Sequence, residues 1–230
     1  MHSSLRLLRT LADQRQYVEL RELSQSVWHE TQAPAVLPLL ALAQGQLGEA
    51  TLSQQTLEQA LLRQSEFDAE ALVDTAAVLI VLQQIDAAVA MLEAVLSQCP
   101  DHALGLARLG YCRLVQDDVE IAQPLFQQSI ELQPKRIDVL LHLAHSHLQQ
   151  SQLGAGQQVL DQAFALLAEI GVDLPEELVR QHYYQLNGLQ CRIWVEGQHF
   201  EFAELWLQEQ AESLRQERLS EADFIHYLCL

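Results

Sequence analysis

Residues 103–134 read ALGLARLGYCRLVQDDVEIAQPLFQQSIELQP. Counting Ala103 as the first position, Leu106 and Leu109 stand at 4 and 7 and Gly110 at 8. Ala122 follows at 20, Phe126 at 24, Ser129 at 27 and Pro134 at 32. The preceding stretch repeats that order with Leu72, Thr75, Ala76, Ala88, Leu92, Val95 and Pro100. Ala88 and Ala122, Leu92 and Phe126, and Pro100 and Pro134 are each 34 residues apart. Apolar residues three and four apart form one face of a helix, so each period predicts two helices joined by a turn. The small residues at 8, 20 and 27 let the paired helices approach closely, and the large one at 24 fills the space between them.

The pattern extends in both directions. Residues 34–67 place Leu37, Leu40 and Ala41 at 4, 7 and 8, Gly48 in the turn, and Leu57 and Ala60 at 24 and 27. Pro34 or Pro38 can open the first helix, where a missing N–H costs little. Residues 137–167 continue with Leu140, Leu143, Ala144, Leu148, Gly156, Leu160 and Ala163. Pro124 falls early in a second helix and is expected to bend its first turn without ending it. This period and its small-residue placement resemble the tetratricopeptide (TPR) repeat, a helix–turn–helix unit of about 34 residues. The resemblance covers 34–167, extends loosely over 176–218, and reaches 1–33 only at the margin.

The resemblance implies an all-α fold, a right-handed superhelix of about six TPR-like repeats. Five repeats occupy 1–168, the first diverged or capping, and a linker spans 169–175. A diverged sixth repeat, with the start of a further or capping helix, fills 176–230. Within 34–167 eight antiparallel helices are expected, with turns near 46–50, 83–86, 116–118 and 150–154. Pro175 followed by Glu176 and Glu177 reads as a helix start, since acids suit the positive end of the helix dipole.

Composition bounds the function. Of 230 residues, 31 are Asp or Glu and 13 are Lys or Arg, a formal charge of −18. That balance argues against nucleic acid, whose phosphates need a basic surface, and against anionic membranes. Cys99, Cys112, Cys191 and Cys229 are scattered without a CxxC pair, which fits reduced thiols in a cytoplasmic protein. Arg6 and Arg9 interrupt the apolar start, so it does not read as a secretion signal. The apolar run at 224–230 (Phe224, Ile225, Tyr227, Leu228, Leu230) suggests a covered surface there, supplied by a dimer mate or by further chain.

No phosphate loop, nucleophile elbow, His-Glu-x-x-His or paired-cysteine motif is present, so no enzyme chemistry and no cofactor is expected. His142, His145 and His147 are the one metal-like cluster. His142 and His145 share a helix face while His147 points toward a packing partner, and no further ligand is evident, so no metal is expected. In TPR proteins the first helices of successive repeats line a groove through positions 2, 5, 6, 9, 12 and 13. By that resemblance the partner-binding row comprises Val73, Asp74, Leu104, Arg108, Tyr111, Leu141, His142 and His145. Arg108 alone matches the carboxylate clamp of chaperone-binding members, so chaperone docking is not expected. The reading is a protein-interaction scaffold whose groove takes a peptide or helical segment of a protein partner. A reading from another class makes the chain the N-terminal repeat region of a longer enzyme, such as a glycosyl- or sulfotransferase. A third makes it an oligomerisation module.

Overall fold

A computed structural model describes the backbone of residues 2–217 and the side chains of 3–208. The expected features at 218–230, including the apolar run and Cys229, lie outside the described residues. Among those described, twelve α-helices are present and no strand. They are α1 (His2–Asp13), α2 (Tyr17–Thr31), α3 (Leu37–Gln46), α4 (Ala50–Leu62), α5 (Ala69–Val81) and α6 (Ile85–Gln98). Then come α7 (Ala103–Val115), α8 (Val119–Leu132), α9 (Ile137–Gln149), α10 (Leu153–Ile170), α11 (Glu176–Glu196) and α12 (Phe200–Glu217). The eight helices α3 to α10 and the turns between them fall where the period puts them. α8 continues through Pro124, and α3 opens after a 3-10 turn, Pro34–Val36, with Pro38 in its own first turn. α10 runs to Ile170 and is followed by a 3-10 turn, Gly171–Asp173, so the segment expected as linker is largely wound.

Six turns share one geometry. Two positions past the end of each first helix stands a residue of left-handed conformation: Arg15, Gly48, Gln83, Asp117, Ser151 and Gln198, with φ of 55, 79, 60, 66, 57 and 62°. The second helix begins two residues later in every case. The next residue's N–H reaches back five positions to a helical carbonyl. The bonds are Gln16 to Leu11, Glu49 to Gln44, Gln84 to Leu79, Asp118 to Arg113, Gln152 to His147 and His199 to Trp194, at 2.7 to 2.9 Å. That bond closes a helix C-terminus whose carbonyls would otherwise lack partners. Glycine is the usual residue at such a position, yet only one of the six is Gly.

The helices form two compact units, Met1–Asp118 and Val119–Leu230, divided between the two helices of the repeat at 103–136. In the first unit α3 packs on α2, α4 and α5, and α5 packs on α6 and α7. Ala41, Ala60, Ala76, Ala88 and Leu92 are fully buried there. Leu5 and Leu8 of α1 join Leu20, Val27, Val36 and Leu39 in a common core, which anchors the weakest repeat in the sequence. In the second unit α9 packs on α8, α10 and α11, and α12 packs on α11. Phe126, the residue at position 24, is its largest fully buried side chain among the described residues. A Cβ on Gly156, at position 20, would lie 2.9 Å from Leu148 Cδ2, which shows why a small residue stands there.

Candidate partner-binding site

The first-helix faces carry the residues singled out by the repeat register, and the two units are described separately. In the first unit Asp74 sits on α5 and is only 2% exposed. A buried carboxylate needs charged or hydrogen-bonding partners. Its nearest is Arg9 of α1, whose Nε donates to Oδ2 at 2.8 Å, and Arg108 Nη1 stands 3.6 Å from Oδ1. Arg108 Nη1 also donates to the Val73 carbonyl at 2.5 Å. Arg9 further approaches Glu70 at 4.0 Å. Burial alone would lower the Arg9 pKa, but the charge and hydrogen bond of Asp74, helped by Glu70, raise it. The structure thus joins Asp74 and Arg108, and adds Arg9, which sequence reasoning missed.

Val73 is fully buried, whereas Leu104, Arg108 and Tyr111 are half-buried along α7, spaced four and three apart on one face. α7 begins with His102 as its cap: Nδ1 accepts the Gly105 N–H at 3.1 Å, and Nε2 lies 3.4 Å from Glu70 Oε1. Burial pushes the thiol of Cys112, on the same helix, up to about 11, which keeps it protonated and unreactive.

In the second unit the three histidines occupy three environments. His142, half-buried on α9, stacks on Phe126 of α8 with ring centroids 5.8 Å apart. His145 is half-buried, and burial together with Arg192 lowers its pKa. His147 is buried, its Nδ1 2.7 Å from Gln152 Oε1 and 3.3 Å from Gln123 Nε2. Leu141 is buried beside them. Asp138 precedes them on α9 and forms a two-point pair with Arg136 at 3.0 and 2.7 Å. Burial would raise its pKa, but Arg136, with His142 and His182 nearby, overrides that and holds it at about 2. No group of three His, Cys, Asp or Glu is assembled for a metal among the described residues. No described helix is long and apolar enough to cross a membrane.

The same helical arrangement occurs in solved structures. PilW, titled a widely conserved type IV pilus biogenesis factor, aligns over 99% of this chain and 96% of its own at 15% identity, TM-score 0.68. TTC0263, a thermophilic TPR protein of Thermus thermophilus, aligns over 80% of this chain and 98% of its own at 18% identity, TM-score 0.59. The chain has the tetratricopeptide-repeat fold. PilF of Pseudomonas aeruginosa shares the TPR-like arrangement over 87% of this chain and 96% of its own, at 16% identity and TM-score 0.55. No protein-family model matches the sequence, and no curated protein does. These likenesses establish the TPR fold and leave the partner to be argued from the residues.

Proposed function

We propose that the chain is a non-enzymatic, cytoplasmic protein-interaction scaffold whose first-helix faces bind a peptide or helical segment of a partner protein. The observation that carries this reading is the row Leu104, Arg108 and Tyr111 on α7, half-buried and aligned. The Arg108 guanidinium is held in place by the Val73 carbonyl and the Asp74 carboxylate. A side chain fixed before binding loses less entropy on binding, and Arg and Tyr are enriched among residues that dominate interfaces. His142 and His145 offer a second polar and aromatic surface on α9 in the other unit. The reading uses no cofactor, no metal and no nucleic acid.

Tyr111→Ala is the test, since removal of Arg108 would also break its hydrogen bond to the Val73 carbonyl of α5. Capture from a lysate followed by titration of the captured protein should show a loss of about 1–3 kcal/mol of binding. The helical circular-dichroism signal and melting temperature should stay unchanged. Unaltered capture by Tyr111→Ala, with the fold intact, would remove α7 from the binding face.

A further inference from the structure

The charged cluster around Asp74 in the first unit is closed by a side chain from the far end of the same row. Arg9 stands six residues before the left-handed Arg15, as Leu42 does before Gly48, Ala77 before Gln83 and Tyr111 before Asp117. It therefore holds the same first-helix position as Tyr111. α3 packs against both α1 and α5, so the Arg9 side chain reaches past α3 to meet Asp74. Leu42 and Ala77, at that position on α3 and α5, are buried.

The Arg9–Asp74 pair is a one-point contact. Arg9 Nε donates to Asp74 Oδ2 at 2.8 Å, whereas a guanidinium fork that faces a carboxylate squarely makes two parallel bonds. Arg9 Nη2 is buried without a hydrogen-bond partner among the described residues, which counts against the closed arrangement. Arg108 Nη1, 3.6 Å from Asp74 Oδ1, is beyond hydrogen-bond distance. The Arg9 side chain is 25% exposed and that of Asp74 3%, so the arginine is the member that borders solvent. Leu5 and Leu8 seat α1 in the core, and rotation of the Arg9 side chain uncovers Asp74 with the helix in place.

Without Arg9 the cluster holds two carboxylates, Asp74 and the exposed Glu70, against the Arg108 guanidinium. His102 adds no charge while its Nδ1 accepts the Gly105 N–H. One further cation balances the cluster, and a partner carboxylate is disfavoured because it would enter beside both acids. A buried carboxylate favours a guanidinium over an ammonium, since the planar fork bonds at two points and is more weakly hydrated. We infer that Asp74 accepts an arginine side chain of the protein partner, and that Arg9 holds the place of that arginine in the free protein. The inference rests on the proposed binding role of the first-helix faces and names the chemistry they select. A basic partner also complements the chain's charge of −18.

The test is a fluorescence-anisotropy titration of the full chain with a short labelled peptide of Ala and Leu that carries one central arginine. The same peptide with citrulline, the neutral isostere, and with lysine, the same charge without the fork, are the controls. The arginine peptide should bind more tightly than either. Arg9→Gln removes the competitor and should tighten arginine binding by about tenfold, and Asp74→Asn should weaken it by about tenfold. Circular dichroism checks that each variant folds. Arg9→Lys, which keeps the charge and loses the fork, should also bind the arginine peptide more tightly than the wild type, and it decides the matter if Arg9→Gln does not fold. Equal binding of the three peptides would mean attraction by net charge or apolar contact and would overturn the inference. So would a wild type that does not bind, or Arg9 variants that bind no more tightly than the wild type, which would make Arg9 a structural residue alone. The binding role of the first-helix faces is read separately. Capture weakened by Tyr111→Ala but unchanged by Arg9→Gln and Asp74→Asn would keep that role and end this inference.

Discussion

Asp138 shows how one residue of α9 carries stability. Its carboxylate takes two hydrogen bonds from Arg136, and its pKa stands at about 2. An unfolded aspartate titrates near ~3.9. A folded value below the unfolded one gives stability that is complete above pH ~4 and is lost as pH falls toward ~2. Asp138→Asn should therefore melt below the wild type at neutral pH, and the gap should close between about pH 4 and pH 2. The side chain is 36% exposed, so solvent screens the pair, and the gap should be on the order of 1 kcal/mol or less. Thermal melts of both proteins across that pH range check it; a constant gap would place the effect in packing. Arg9 makes a different point at this scale. Its bond to Asp74 joins residues 65 apart in sequence, from α1 to α5, and no local pattern announces it.

The six hairpin turns define the element scale. Their left-handed residues cost about 1–2 kcal/mol each when they carry a Cβ, and five of the six do. Gln83→Gly and Asp117→Gly should each stabilise the fold, by about 0.5–1 kcal/mol once the extra freedom of glycine in the unfolded chain is counted. Gly48→Ala should destabilise by a similar amount, although no atom lies within 4 Å of the added Cβ, because φ there is +79°. Urea titrations of the three variants measure this. A loss of stability in both glycine variants would mean that the side chains of Gln83 and Asp117 matter more than the backbone.

The helices themselves were legible because Ala88, Leu92, Ala122 and Phe126 recur at the repeat spacing and are all fully buried. The turns were legible in place, but their geometry was hidden behind Arg15, Gln83, Asp117, Ser151 and Gln198, none of which is glycine. Glu169 and Ile170 read as linker because they leave the repeat spacing, yet they continue α10. A helix can run past its repeat when its last turn still buries a residue such as Leu167. An apolar residue on an amphipathic helix reads as core, and only the structure separates the buried Trp206 from the exposed Phe202 and Leu205.

At the scale of the molecule, the chain is built from helical hairpins in the TPR fold, with small residues at the contacts within each pair and chemistry concentrated on side-chain faces. Asp74, Arg108 and Tyr111 lie on α5 and α7, and His142 and His145 on α9; all three are first helices. Second helices supply Ala60, Leu92, Phe126 and Leu160 to the cores, and Leu62 and Ile121 stand exposed on two of them. That division of labour is the central claim, and amide hydrogen exchange with and without the captured partner tests it most directly. The account predicts slowed exchange over residues 69–81, 103–115 or 137–149, the first helices that carry the proposed binding rows. Protection confined to the second helices at 50–62, 85–98 and 119–132, with the first helices unchanged, would contradict it.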